Sequence, residues 1–238
     1  MVGQPSDAAR PQTPSGVGSR TTARARRSNP AGLAAIKNVA RREFVAAGFH
    51  AVSIRDLARE AEVSLSVLYH YYASKQELLY GMLNDAIDAF HEILKRRMSD
   101  VDTTDPVLRF LVLLESTVEY RGTLPEESLL FIRELRNLEP PYLDRLASRR
   151  DEVGRLYTDA IDAGVQAGAF FTPYADDARR AILAMLNAIP NWYRPSGELT
   201  VEMLVTRYQR LALGIVEYRG DFDSALARHG ADAKPVRP

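Results

Sequence analysis

Residues 53–72 read SIRDLAREAEVSLSVLYHYY, and this stretch decides the fold. Ser53 and Ser64 can each cap the start of a helix, and an apolar face at helical spacing follows each of them. Ala58 is small where the two helices would cross, and Val63 can fill the turn between them. The pattern is typical of a helix-turn-helix that enters the DNA major groove, although an ordinary helical hairpin has the same spacing.

The segments on both sides of this stretch also predict helices. Pro30 stands at a first helical position and Gly48 is a C-terminal stop, which bounds one helix before the stretch. A capping box at 74–77 begins a long helix that runs to about Arg97. Capping residues, prolines and apolar stripes predict further helices over 105–120, 125–138, 140–168, 176–191 and 200–217. The sequence therefore predicts an all-α protein of about nine helices.

Composition limits the classes of function. The 238 residues include no cysteine, which excludes disulfide scaffolds and thiol chemistry. The 31 basic residues equal the 31 acidic ones, but residues 1–79 hold 11 basic against 6 acidic, a balance of +5, and the remainder has −5. A fluctuation of this size also arises by chance. The zero net charge therefore does not exclude a nucleic-acid partner.

The segment from Gly48 to Leu78 closely resembles the DNA-binding segment of TetR-family transcriptional regulators. The resemblance includes the run LYHYYASK at 68–75 and, with the preceding helix, extends over about 30–79. It implies a palindromic double-stranded DNA partner and a homodimer formed through 176–191 and 200–217. Together with composition, it divides the chain into a disordered basic arm at 1–29, a helix-turn-helix DNA-binding domain at 30–79, a ligand-binding and dimerisation domain at 80–218, and a flexible tail at 219–238.

The resemblance implies where DNA is contacted. Phosphates are expected to meet the phenols of Tyr69 and Tyr71 and the ammonium of Lys75, although Tyr71 can instead pack inward. The Leu65 side chain is expected to contact the methyl group of a thymine base. His70 is expected at a base edge, and an ordinary solvated histidine is the alternative. The full set of expected DNA-contacting residues is Ser53, Arg55, Ser64, Leu65, Ser66, Tyr69, His70, Tyr71 and Lys75.

Two residues depart from the family pattern in this segment. Glu62 takes a turn position where the family usually has glycine, which predicts a left-handed backbone that costs about 1 kcal/mol. Ser66 replaces another usual glycine and adds a side chain close to the groove. Because residues 64–72 include no Lys or Arg, affinity is expected to depend on Arg55, Lys75 and the arginines of the N-terminal arm.

The run NWYRPSG at 191–197, with FIRELR at 131–136, resembles a branch of the family that responds to acyl-CoA thioesters. This likeness implies an apolar tunnel for the acyl chain and an arginine such as Arg194 for the CoA phosphates. Trp192 as an anchor of the dimer seam is the alternative interpretation. The residues expected to bind the ligand are Phe110, Leu114, Phe131, Tyr157, Trp192 and Arg194.

These observations predict a cytoplasmic repressor that a small apolar effector releases from its operator, without a cofactor, a metal or a membrane partner. The long helix from residue 74 is expected to act as a lever between pocket and DNA. An enzyme is disfavoured, because the four histidines lack metal-ligand spacing and no glycine-rich phosphate loop occurs. A constitutive or architectural DNA-binding protein without a ligand stays an alternative.

Overall fold

The computed structural model describes residues 30–99 and 104–232, and within these ranges every regular element is helical. The all-α prediction is confirmed, while residues 1–29, expected as the basic arm, lie outside the described residues. None of the described helices is both long and apolar enough to cross a membrane. The α-helices are α1 (Pro30–Ala47), α2 (Ile54–Glu60), α3 (Leu65–Tyr71), α4 (Lys75–Ser99), α5 (Pro106–Thr123), α6 (Pro125–Glu134), α7 (Tyr142–Gln166), α8 (Ala175–Trp192), α9 (Val201–Ile215) and α10 (Phe222–Asp232), with a 3₁₀ turn at Leu135–Asn137 after α6.

The caps predicted around the helix-turn-helix are present. The Ser53 hydroxyl accepts from the Asp56 N–H at 3.1 Å, and the Ser64 hydroxyl accepts from the Val67 N–H at 3.2 Å. Gly48 ends α1 with φ of +84°. Glu62 has φ of +53°, so the predicted left-handed backbone in the turn is confirmed. These local signals fix α2 and α3 as short helices on either side of a tight turn.

The core beneath α1, α2 and α3 is not closed by the N-terminal residues alone. Phe44, Leu57 and Leu68 are fully buried in it, together with Leu78 and Leu83 of α4. Four leucines from the second half of the chain complete the same core, and they are Leu130, Leu135, Leu138 and Leu146. The end of α6 and the start of α7 therefore pack directly against α1, α2 and α3 through one shared core.

The second core surrounds α5, which is buried along most of its length. Phe110 and Tyr157 are fully buried there, and the Tyr157 hydroxyl donates to the Leu113 carbonyl at 2.9 Å. Gly164 allows close packing at the end of α7, because a Cβ at this position would lie 2.1 Å from the Phe170 ring. The core of this half is therefore tightly filled around α5, and open space is left only beside it.

The prediction of a flexible tail at 219–238 is corrected, because residues 222–232 form the helix α10. Phe222 packs edge-on against Tyr218 with ring centroids 5.7 Å apart, and Ala225 is buried among residues of the second core. The signal is present in the sequence, since Phe222, Ala225 and Leu226 recur at helical spacing. Ten α-helices therefore stand in the described residues where about nine were expected, and residues 233–238 lie outside them.

Candidate DNA-reading surface and ligand cavity

The exposed face of α3, formed by Ser66, Val67, Tyr69 and His70, is called here the reading surface. Leu68 is fully buried on the opposite side of α3, which orients the reading surface toward solvent. Tyr69 on this surface is 47% exposed. The Tyr69 phenol is therefore accessible to a partner outside the chain. The structure thus brings together Ser66, Tyr69 and His70 as predicted, while their contact with DNA stays a prediction.

Other predicted DNA contacts are more enclosed. Leu65 and Tyr71 are half-buried and pack against the N-terminal core, so their side chains are only partly available to a groove. Ser53 is exposed, but its hydroxyl also donates to the Asp56 carboxylate at 2.5 Å, and this bond holds the pKa of Asp56 below its usual value. Arg55 is exposed on α2, and no ion pair to it occurs within the described ranges.

The Lys75 ammonium uses two of its three N–H donors in hydrogen bonds within the chain. Its Nζ donates to the carbonyls of Phe49 and Val52, both at 2.6 Å, and lies 4.1 Å from the centroid of the Phe49 ring. Burial lowers the pKa of this ammonium. One of its three donors remains for a phosphate, so Lys75 first fixes the α1–α2 loop to the start of α4.

A cavity of about 510 Å³ lies among α4, α5, α6, α7 and α8, within the range of about 300–1,000 Å³ that is usual for small-molecule sites. Its wall is apolar on the α4 side and carries arginines on α5, α7 and α8. The lining residues are Ala86, Ile87, Phe90, Thr117, Tyr120, Arg121, Phe131, Arg150, Asp151, Val153, Gly154, Arg155, Tyr157, Thr158, Arg179, Leu183 and Asn187.

The outer arginines of the cavity form its entrance. Arg150 pairs with the neighbouring Asp151 at 2.8 Å, and Arg179 pairs with Asp176 at 3.0 Å. Arg155 is exposed and has no ion-pair partner in the described part of the chain. Of the four arginines in the lining, Arg121 and Arg155 have no ion-pair partner among the described residues, which leaves the cavity with an excess of positive charge in the acidic half of the sequence.

The predicted pocket residues divide into two groups. Phe131 and Tyr157 line the cavity as expected. Phe110 and Leu114 do not, because they are fully buried in the core, where the Phe110 and Phe170 rings pack at 5.2 Å. Trp192 and Arg194 also lie outside the lining and are exposed; the Arg194 guanidinium donates to the adjacent Tyr193 carbonyl at 2.9 Å. These four residues therefore lie outside the lining of this cavity, and their contact with a ligand stays a prediction.

Sequence reasoning missed the polar residues of the inner wall. The Arg121 guanidinium lines the cavity and donates to Asn187 Oδ1 at 2.9 Å. Thr117, Tyr120 and Arg121 follow one another at helical spacing in the apolar α5 sequence, which is a signal that could have been noticed. An arginine within such a run is either paired in the core or directed at a ligand.

A hydrogen-bond network joins the cavity side of the molecule to the DNA-binding side. Glu134, at the end of the helix that carries Phe131, accepts from the Phe49 N–H at 3.2 Å and from the Asn137 amide at 2.6 Å. Asn137 also contacts His50 at 3.2 Å, and its carbonyl accepts from Gln76 at 2.9 Å. The end of α6 is therefore bonded to both the α1–α2 loop and the first turn of α4.

The outer faces of α8 and α9 are exposed and unusually apolar. On α8 the exposed residues include Ala181, Ala184 and Ala188, which recur at helical spacing and allow another helix to approach closely. On α9 Met203 and Leu211 are 45% and 56% exposed, and Trp192 at the end of α8 is 47% exposed. These exposed apolar and small side chains are suited to packing against a second helix pair.

Comparison with known proteins agrees with this arrangement. Residues 36–81 match the family of bacterial regulatory proteins, tetR family, and residues 103–216 match the tetracyclin repressor-like C-terminal domain. The HTH-type transcriptional repressor KstR2 of Mycolicibacterium smegmatis is 27% identical over 182 residues, which cover 75% of this chain and 87% of that protein.

Solved structures share the fold over most of their length. A TetR-family transcriptional regulator from Bordetella parapertussis has a TM-score of 0.69 at 25% identity, covering 78% of this chain and 94% of the other. The complex of AibR with isovaleryl coenzyme A and operator DNA has a TM-score of 0.68 at 20% identity, covering 79% and 99%. The arrangement of helices is thus the same in all three chains.

Proposed function

Because the chain belongs to the TetR family of bacterial regulatory proteins, we propose that it is a transcriptional repressor that an acyl-CoA thioester releases from a palindromic operator. The observation that carries the proposal is the cavity of about 510 Å³ whose wall includes α4 and α6, the two helices that also pack against the DNA-binding core. Binding in the cavity can therefore alter the position of the reading surface.

DNA is read by α3 in the major groove. The exposed Tyr69 phenol and the Ser66 hydroxyl supply hydrogen bonds to phosphate or base edges, and His70 lies beside them. Ser53, Arg55, Ser64 and Lys75 flank this face on α2, the turn and α4. The remaining donor of Lys75 is directed to a backbone phosphate.

The functional unit is a homodimer formed through the exposed faces of α8 and α9. A palindrome presents two identical half-sites, and a two-fold dimer presents two copies of α3 at fixed spacing. The alanine stripe on α8 and the exposed Met203, Leu211 and Trp192 support this face as the interface. The exposed position of Trp192 favours its role as an anchor of the dimer seam.

The effector is an acyl-CoA thioester because the cavity combines an apolar side with an arginine-rich entrance. Ile87, Phe90 and Phe131 offer apolar surface to an acyl chain, while Arg155 and Arg179 can bind phosphates by charge-assisted hydrogen bonds. The solved complex of AibR with isovaleryl coenzyme A and operator DNA, which has the same fold, supports this class of ligand.

Release follows from the connection between α6 and the DNA-binding part. A ligand that displaces Phe131 shifts the end of α6 and therefore Glu134, which is bonded to the α1–α2 loop. The 25 residues of α4 are about 37 Å long. This helix lines the cavity near its middle with Ala86, Ile87 and Phe90 and carries Lys75 at its start. If the ligand binds better to the form whose half-site spacing is wrong, operator affinity falls by linkage.

The experiment begins with selection of bound sequences from a random DNA pool, which yields the palindrome. Fluorescence anisotropy then follows release of that operator as acyl-CoA thioesters of increasing chain length are added. A pool without a palindrome would contradict the dimeric repressor. Failure of every acyl-CoA to release the operator would contradict this class of effector and leave the DNA-binding function standing.

The alternative of a constitutive or architectural DNA-binding protein has less support. A protein without a ligand gains nothing from Arg121, because an enclosed Nε without a partner destabilises the domain. The family consists of regulators, so we assign the chain no catalytic activity. Binding to chromosomal DNA gives it a cytoplasmic place of action.

A further inference from the structure

Arg121 is half-buried and lacks a counter-charge. Its Nε is inaccessible to solvent and has no hydrogen-bond partner, and no carboxylate pairs with it among the described residues. Its neighbours are the amide of Asn187 at 2.9 Å and the ring of Tyr120, whose centroid lies 5.6 Å from the guanidinium carbon. Burial lowers the pKa of this guanidinium, which reflects the cost of a charge left without compensation.

The groups that contact Arg121 within the described residues supply no anion, and the one carboxylate of the cavity lining, Asp151, pairs with Arg150. The Tyr157 hydroxyl is bound to the Leu113 carbonyl and lies 2.8 Å from Thr117 Oγ1, while the Tyr120 hydroxyl donates to the Ala86 carbonyl. Burial raises the pKa of Tyr120 to about 12, so its phenol stays neutral. A half-buried cation that lines a ligand cavity, with an enclosed Nε that has no partner, is expected to receive a partner from the ligand.

The inner and outer arginines occupy different parts of the cavity. Arg121 and Asn187 lie on α5 and α8 in the inner wall, whereas Arg150 and Arg155 are exposed on α7. Apolar side chains of Ile87, Phe90 and Leu183 also line the cavity. A ligand that matches this order has anionic groups at both ends and an apolar chain in the middle.

We propose that the effector is an ω-carboxyacyl thioester, the monothioester of a dicarboxylic acid with coenzyme A, and that Arg121 binds its free carboxylate. The guanidinium donates to the carboxylate oxygens, and Asn187 holds the guanidinium in place. This inference rests on the proposed acyl-CoA response and names its ligand class. Plain acyl-CoAs of the same length leave Arg121 uncompensated and bind more weakly.

Matched pairs of thioesters test the proposal on the full-length protein. Glutaryl-CoA is compared with valeryl-CoA, adipoyl-CoA with hexanoyl-CoA, and suberyl-CoA with octanoyl-CoA, in operator release and in calorimetric binding. We expect the dicarboxylic member of at least one pair to bind about tenfold or more tightly. Equal or weaker binding of the dicarboxylic members in all pairs would overturn the proposal and leave the acyl-CoA response intact.

Variants connect the preference to the residue. Arg121→Met is expected to abolish the preference for the dicarboxylic member while keeping binding of the plain acyl-CoA. Arg109→Met is the matched control, because Arg109 is on the same helix, also has a buried Nε without a partner, and lies outside the cavity. If Arg121→Met does not fold, the wild-type preference within the pairs still decides, and Arg121→Lys provides a second variant.

Free dicarboxylates separate this inference from the proposed function. If no thioester binds but adipate or suberate binds in an Arg121-dependent manner, the carboxylate site is supported and the thioester part of the proposed function fails. If neither thioesters nor free dicarboxylates bind, the carboxylate site is overturned. A preference that persists unchanged in Arg121→Met would also overturn it, since another residue would then recognise the carboxylate.

Discussion

The reading surface and the cavity each differ in charge from the part of the sequence that contains them. Residues 1–79 have an excess of basic residues and residues 80–238 an excess of acidic ones. DNA is a polyanion, yet residues 64–72 include no Lys or Arg. The cavity lies in the acidic part of the chain, yet four arginines and one aspartate line it. Net charge over a segment therefore says little about the charge at a site within it.

The comparison indicates that the two regions obtain affinity and specificity from different groups. An uncharged α3 can discriminate sequences through hydroxyls, a phenol and shape, while phosphate attraction comes from residues around it. In the cavity the arginines lie in the lining itself, which favours the anionic ligand that we propose. Four changes to the protein test this difference between the reading surface and the cavity.

The largest effect is expected from the basic arm. Deletion of residues 1–28 should weaken operator binding on the order of a hundredfold at low salt, because a recognition helix without cations depends on cations elsewhere. The slope of log affinity against log salt should become shallower by about 0.9 for each lost phosphate contact. Preference among operator sequences should stay largely unchanged in anisotropy competition.

A full-length variant separates arm charge from arm length. Replacing Arg20, Arg24, Arg26 and Arg27 by glutamine should reproduce most of the loss. Unchanged affinity in both variants would mean that Arg55 and Lys75 suffice, and the contrast between an uncharged reading surface and charged surroundings would lose its importance.

Tyr69→Phe is the next test, because it removes one hydroxyl from the reading surface. Loss of a hydrogen bond to a charged phosphate predicts about tenfold weaker operator binding, measured by anisotropy at fixed salt. Since Tyr69 is 47% exposed, stability should not change. The control is Tyr80→Phe. Tyr80 lies on α4, outside the reading surface, and its ring stacks on the Tyr142 ring with centroids 4.8 Å apart. An equal effect of both variants would remove Tyr69 from the DNA contacts.

Glu134→Gln tests whether the two regions communicate through the end of α6. The amide keeps one acceptor but loses the charge that binds the Phe49 N–H and the Asn137 amide. We expect the ratio of operator Kd with and without acyl-CoA to fall about fivefold, with less change in operator affinity alone. Glu126→Gln, exposed on the same helix, is the control. An unchanged ratio would direct attention to α4 alone.

The smallest effect is expected at the turn between α2 and α3. Glu62→Gly should relieve the left-handed strain and raise stability by about 1 kcal/mol, or about 2–4 °C in Tm, in thermal unfolding. Glu62→Gln keeps the φ of +53° and should give no such gain. If Gln stabilises as much as Gly, the cost comes from the negative charge and not from the backbone.

Local features of the fold could be predicted because each depends on a few neighbouring residues. Ser53 and Ser64 cap their helices, and Glu62 adopts the left-handed backbone that its turn position requires. The short helix α10 was missed because a charged, glycine-containing segment concealed its apolar spacing. The all-α class followed from the sum of such local signals.

The cavity wall could not be predicted in the same way. Phe110 and Leu114 lie on α5 as Thr117 and Arg121 do, but the rotation of α5 against its neighbours decides which face meets the core and which meets the cavity. Lys75 likewise carries no signal in the sequence for its two carbonyl acceptors, which come from a loop more than 20 residues earlier. Such contacts depend on tertiary packing.

The bonds that join the two halves use the main chain. Glu134 accepts from the Phe49 N–H, and Gln76 donates to the Asn137 carbonyl. Within the DNA-binding part, Lys75 holds the same loop through the Phe49 and Val52 carbonyls. Main-chain groups are present whatever side chain a position carries. After gene duplication, the operator-reading residues and the ligand-binding residues can therefore diverge separately, and a descendant can acquire a new inducer without rebuilding the connection between them.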